Sequence, residues 1–320
     1  MIKFKRALAG AAAAFALAAA AQSFPTRPIA MVVPFAAGGN NDVSGRIIAQ
    51  EMGKGLGQPV VVENKTGAGG AIGATFVAKA KPDGYTVGFL SSGPLAGNAS
   101  LYKSLPYDSL KDFVPVARTT TSPSVLVVHP SVPASTLKEF VDYLKAHPKK
   151  VNYGTSGTGS SPHLSGVLFE QMAGVEMTVV PYRGGNQVNA DLLSGQIQAS
   201  FSPILEVVPH IQAGKLKAIA VTSAKRSPLL PQVPAIAEML PGYEVITWNG
   251  IVAPAGTPPE IVARLNAEAV KVVNAPEVKA QLLQLGLEAA PSTPAEFGAY
   301  IKSEIANFAR LVKLAGVEPQ

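Results

Sequence analysis

Cysteine is absent from the 320-residue chain, so no disulfide framework can brace it and no lipidated N-terminal cysteine can anchor it. Histidine is scarce: the four, His129, His147, His163 and His210, lie too far apart for any short metal-binding motif and leave few options for a catalytic triad. Charged residues make up 15%, and no Lys/Arg run of the kind that tracks a phosphate backbone occurs. Nucleic acid is therefore excluded as a partner. Aromatic content is 7%, too modest to argue for a stacking cage. Beyond the N-terminus there is no internal repeat and no low-complexity segment.

The N-terminus has the layout of a secretory signal. Lys3, Lys5 and Arg6 precede an apolar run from Ala7 to Ala21, which ends in an A-x-A-like site at Ala19–Ala21. The run is shorter than the ~20 residues a membrane span needs. Residues 1–21 are thus expected to be a cleaved signal peptide, leaving an exported, periplasmic, unlipidated and soluble chain. Without those three basic residues the net charge falls from +6 to +3, so half of the basicity belongs to the signal.

Hydrophobic content of 47% marks a folded globular protein, long enough for two domains. Strand-like runs at Ile29–Val33, Val60–Glu63, Thr86–Leu90, Val125–His129, Thr178–Val180, Leu216–Thr222 and Val245–Val252 alternate with helical patterns. Helices are predicted from Asp42 onward, over Thr136–His147 and over His163–Ala173. Ile261, Leu265, Ala269, Val272 and Val273, then Phe297, Ile301, Ile305, Phe308 and Val312, form apolar stripes of two C-terminal helices. The alternation predicts an α/β fold with mainly parallel sheet. Ser124–His129 and Glu244–Val252 are candidate crossovers. They would divide the chain into a discontinuous first lobe, residues 24–121 plus 250–320, and a second lobe, 122–249, hinged around a ligand cleft.

Three junctions join a strand through glycine to a helix. The first is MVVPFAAGGNNDVSGR, residues 31–46, where unpaired helix amides and the positive end of the dipole would meet an anion approaching over Gly38-Gly39. Asp42 reads there as the helix N-cap, since a carboxylate would repel the anion. The second, VNYGTSGTGSSPHL at 151–164, sets small hydroxyls beside glycine, with Pro162 in an early helical position and Ser160 and Ser161 offering capping hydroxyls. PYRGGNQ at 181–187 is the third. One junction in the first lobe and two in the second suit a small molecule with a carboxylate at each end. Enzymatic readings are weaker. The glycines of Gly67–Gly73 miss the dinucleotide fingerprint by one position, and Thr158 stands where a nucleophile elbow needs glycine.

Read in order, PFAAGGNND, GQPVVVENKTGAGGAIGA, KPDGYT, LPYDSLKDF, YGTSGTGSSPHL, PYRGG, AGKLKAIAVTSAKRSPLLPQVPAIAE, PGYEV and WNGIVAPAGTP resemble the Bug family of periplasmic receptors. These are the solute-binding components of tripartite tricarboxylate transporters. The resemblance runs from about Phe24 to Gly316. It implies two α/β lobes of the type II periplasmic-binding-protein kind, joined by two crossing strands. It also implies a small carboxylate ligand, membrane permease subunits as partners, and no catalysis, cofactor or metal. By the same resemblance Phe35, Gly38, Gly39, Asn40 and Asn41 hold the ligand from the first loop. Thr155, Ser156, Gly157, Ser160 and His163 hold it from the second, Ser91 and Ser92 from a strand end, and Tyr182, Arg183 and Gly184 from the third junction. Two positions depart from many relatives: Asn41 replaces threonine, and Ser202 replaces an aspartate suited to a ligand ammonium. Ser202 is therefore expected to shift preference toward amine-free aliphatic or aromatic carboxylates. A sensory receptor that presents the same ligand to a signalling protein is the alternative from another class.

Overall fold

The computed structural model describes residues 24–182 and 184–319; the expected signal peptide and Arg183 lie outside the described residues. β1 (Ile29–Val33), α1 (Asn40–Leu56), β2 (Val60–Asn64), α2 (Ala71–Ala78) and β3 (Thr86–Ser91) come first, with β1 between β2 and β3 in parallel register. A π-helical turn, Gly93–Gly97, runs into the short α3 (Asn98–Leu101), and β4 (Phe113–Val128) follows. Next come α4 (Leu137–Ala146), β5 (Asn152–Thr155), α5 (Ser161–Ala173), β6 (Thr178–Pro181), α6 (Gly185–Ser194), β7 (Ala199–Pro203), α7 (Ile204–Gln212) and β8 (Lys217–Val221). The chain returns through β9 (Ile246–Pro254), α8 (Pro259–Asn274), α9 (Pro276–Gln284), β10 (Glu288–Ala289) and α10 (Pro294–Leu314).

The strand order β2-β1-β3-β9-β4-β7-β5-β6 gives parallel sheet at both ends and antiparallel sheet in the middle. The expectation of mainly parallel sheet holds for the outer strands only. Apolar runs such as those of β4 and β9 carry no signature of strand direction. β4 is a single strand of 16 residues rather than the short Val125–His129 segment predicted. Its first part pairs with β9 as far as Pro123, and from Ser124 onward it pairs with β7 and β8. Thr222 clasps this passage: its hydroxyl accepts the Ser124 amide at 2.9 Å, and its carbonyl accepts the Val245 amide at 3.1 Å.

Side chains alternate across each sheet. In the first lobe Met31 and Val33 face α1 and α8, while Val32 faces α2 and the start of α10. In the second lobe Leu126 and Phe201 pack with α4 and α5, while Val125 and Val127 pack with α6 and α7. α10 joins the two bodies: Phe297 and Ile301 are buried in the first core, Leu311 and Val312 in the second. Its start is fixed by Thr293 and Glu296, each of which bonds the other's backbone amide. Among the described residues no helix is long and apolar enough to cross a membrane.

Candidate functional site

The first loop is tied down by a carboxylate. α1 begins at Asn40 with Gly39 at its N-cap, so Asp42 is not the cap that the sequence suggested. It stands in the first turn and reaches back to accept the Gly38 amide at 2.9 Å, Arg46 Nε at 3.0 Å and Asn64 Nδ2 at 2.8 Å. Asn64 also donates to the Phe35 carbonyl, which closes the loop on itself. The Arg46 hydrogen bond, helped by those from Gly38 and Asn64, outweighs burial and holds the Asp42 carboxyl down at about 2. Gly38 therefore spends its amide inside the protein. Any anion here would meet the first-turn amides of Asn40 and Asn41, which a helix leaves unpaired.

A folded-state value below the unfolded one means that this stability is present above about pH 4 and lost as the pH falls through about 2. Asp42→Asn is expected to lower stability by about 2 kcal/mol at pH 7, moderated by the exposure of Arg46. The deficit should shrink as wild type and variant are compared toward pH 3 by urea unfolding.

In the second loop the hydroxyls of Thr155 and Ser160 turn inward to the Gly157 carbonyl. Ser160 is the N-cap residue of α5 by position, yet its hydroxyl donates to the Gly157 carbonyl at 2.7 Å, and Ser161 is already helical. Thr155 is fully buried. His163, also buried, accepts the Gly159 amide on Nδ1 at 3.0 Å, and desolvation lowers its pKa. It is a neutral loop brace, and neither Ser156 nor Ser160 has a hydrogen bond to it. Gly159, at φ +77°, packs against Leu101 of α3 and Val317, so the loop touches the first lobe.

At the third junction the Tyr182 amide donates to the Thr155 carbonyl at 2.9 Å, and its hydroxyl donates to Asp191 at 2.6 Å. Burial, with that bond to Asp191, pushes the phenol up to about 12. Gly184 precedes α6 in extended conformation. Ser91 ends β3 and the buried Ser92 opens the π-helical turn. The Gly67–Gly73 run serves packing: a Cβ on Gly70 would lie 2.6 Å from Pro94 Cγ, and one on Gly73 would lie 2.8 Å from both Pro34 Cβ and the Lys65 carbonyl oxygen.

A cavity of about 260 Å³ opens where the second lobe meets the crossing strands. Ser200, Ser202 and Pro203 of β7 form one wall. Ser156, Ser161 and Pro162 bring in the start of α5; Gly185, Val188 and Asn189 bring in that of α6. Ser122, Ser124 and Thr247 come from β4 and β9, and Glu206 from the first turn of α7. Of the residues expected at the site, Ser156 and Ser202 line this cavity. Phe35, Gly38–Asn41, Ser91 and Ser92 belong to the first lobe, outside its wall; Thr155, Gly157, Ser160, His163, Tyr182 and Gly184 support the loops beside it. Sequence reasoning missed Asn189, Glu206 and the three crossing-strand residues. Glu206 was detectable as an acid four residues beyond Ser202, in the first turn of the helix that follows β7. Among the described residues no cluster of His, Asp and Glu could hold a metal ion.

Residues 45–317 match the tripartite tricarboxylate transporter family receptor. Protein BugT of Bordetella pertussis is 36% identical over 310 residues, covering 96% of this chain and 95% of its own. Among solved structures, R. palustris Rpa4515 with adipate is 36% identical at a TM-score of 0.75, covering 93% of this chain and 100% of that one. MatC (Rpa3494) from Rhodopseudomonas palustris with bound malate is also 36% identical, at a TM-score of 0.69 over 90% of this chain and 100% of that one. The two-lobed architecture, the crossing strands and these matches agree: the chain belongs to the tripartite tricarboxylate transporter receptor family, the solute-binding proteins that include the Bug proteins.

Proposed function

We propose that this protein is exported to the periplasm, captures a small carboxylate between its lobes and delivers it to the membrane subunits of a tripartite tricarboxylate transporter. The observation that carries the reading is the cavity beside the crossing strands, onto which the first turns of α5 and α6 open. The positive ends of these two helices favour an anion without a buried cation, and no Lys or Arg lines the cavity. The similar structures with adipate and with bound malate support a dicarboxylate, and tricarboxylates and aromatic carboxylates remain within the same chemistry. In this reading the chain hinges where β4 changes partners, near residues 121–124, and where it re-enters β9, near 245–250, with residues 122–249 as the second lobe. Closure would then draw the amides of Asn40 and Asn41 toward the ligand.

The test is a thermal-shift screen of residues 24–320 against mono-, di-, tri- and aromatic carboxylates, with amino acids included. A ligand at one hundred times its Kd is expected to stabilise the fold by about 2.7 kcal/mol. Silence across the whole panel, after unfolding and refolding to strip any carried-over ligand, would refute the reading.

A further inference from the structure

The cavity has two chemically different walls. Helix amides at the start of α5 supply donors on one side. On the other, the protons are already engaged. Ser200 donates to the Gly154 carbonyl at 3.2 Å, and Ser202 donates to Ser200 Oγ at 3.0 Å, so Ser202 Oγ can offer only lone pairs to the cavity. Asn189 Nδ2 donates to Glu206 Oε2 at 3.0 Å. A carboxylate can only accept, which fixes the amide orientation and leaves Asn189 Oδ1 as a buried acceptor without a hydrogen-bond partner, on a residue that lines the cavity. Glu206 is the one charged residue of the lining, and a Cβ at Gly185 would lie 3.0 Å from its Oε2. Ser202, Asn189 and Glu206 thus form an acceptor wall. A plain dicarboxylate at neutral pH has nothing to donate to it and would set its own charge against that of Glu206.

We infer that Glu206, with Asn189 and Ser202, selects a carboxylate that also bears a hydrogen-bond donor, a hydroxyl or an ammonium on its carbon chain. The inference rests on the receptor reading and reverses the expectation for position 202. The acid missing there enters from Glu206, and the serine adds an acceptor in place of excluding donors. An ammonium would gain the charge of Glu206, and a hydroxyl would gain the hydrogen bond alone.

The experiment is calorimetric titration of wild type, Glu206→Gln and Ser202→Ala with matched ligands of four, five and six carbons. Each set holds the plain diacid, its 2-hydroxy form and its 2-amino form. At the best-fitting length, a donor-bearing member is expected to bind wild type about ten-fold or more tighter than the plain diacid. Glu206→Gln is expected to bring that ratio to within about three-fold, with the plain diacid unchanged or tighter, and Ser202→Ala to reduce it in part. Ligand-free Glu206→Gln should melt as wild type does, since Glu206 is exposed; Ser202 is buried and hydrogen-bonded, so the affinities of Ser202→Ala are read as ratios between ligands on that variant alone. Tightest binding by the plain diacid, or an equal effect of Glu206→Gln on all members, would overturn the inference and leave the receptor reading standing. Failure of wild type to bind any carboxylate would overturn both.

Discussion

Alanine at Gly250 is expected to destabilise the protein by about 3 kcal/mol, a large cost for one added methyl group. The new Cβ would lie 2.2 Å from Phe297 Cζ and 2.9 Å from the Ala117 carbonyl oxygen, so backbone and ring close on it from two directions. Neither can give way cheaply. Gly250 is held in register with Leu90 of β3 and Arg118 of β4, in the middle of the sheet. Phe297 is fully buried and meets Trp248 edge-on at 5.6 Å. Moving the ring moves the start of α10, the helix whose other end lies in the second core. Phe297→Ala alone should cost about 3–5 kcal/mol through the cavity it leaves. The double variant should cost less than the sum by at least about 1 kcal/mol, because the small residue makes room for the new methyl. Urea unfolding of the four proteins measures this coupling, and strict additivity would show that the clash is not the cause.

That contact also marks the limit of what the sequence shows. The C-terminal stripe from Phe297 to Val312 reads as one apolar face, and it is one. Periodicity does not say that its two ends enter different cores. The predicted strands and helices of the outer layers are present because βα alternation leaves a strong local trace, and α4 gains a capping box from Thr136 and Glu139. β4 was half missed for a physical reason. Its first part, Phe113–Ser124, is rich in threonine and proline and breaks register with β9 at two bulges, so no clean alternation marks it. Strand direction, too, is settled by long-range pairing.

The site shows the same division. Glycine-rich junctions are legible because backbone conformation and helix starts are local properties. What their groups bind is set by neighbours in space. Asp42 looked like a cap because acids favour that position, but Gly39 occupies it and Asn64, from the next strand, holds the carboxylate where it is. Ser160 and Ser161 looked like capping acceptors for the first-turn amides, but the Ser160 hydroxyl donates to the Gly157 carbonyl instead. Ser122, Ser124, Thr247, Asn189 and Glu206 come from four elements that only the folded sheet brings together, and no motif joins them.

Tryptophan at Ser156 is expected to abolish capture of the ligand while leaving the fold intact. Ser156 is exposed on the second loop, and no hydrogen bond of its side chain is broken by replacement, so ligand-free stability should stay within about 0.5 kcal/mol of wild type. The loop around it is held by the bonds from Ser160 to Gly157 and from Gly159 to His163, which fix where a new side chain leaves the backbone. From there an indole would occupy much of a cavity of about 260 Å³, between the serines of β7 and the crossing strands. Its apolar face would cover the helix amides to which the proposed function assigns the carboxylate. The Kd should rise by at least about 100-fold, equivalent to about 2.7 kcal/mol, and the carboxylate-dependent thermal shift should vanish. Ser156→Ala, which removes a hydroxyl but adds no bulk, should bind within about three-fold of wild type if, as proposed, backbone amides carry the recognition. If the tryptophan variant binds as wild type does, the carboxylate is seated elsewhere in the cleft, and the unpaired amides of Asn40 and Asn41 become the place to look for it.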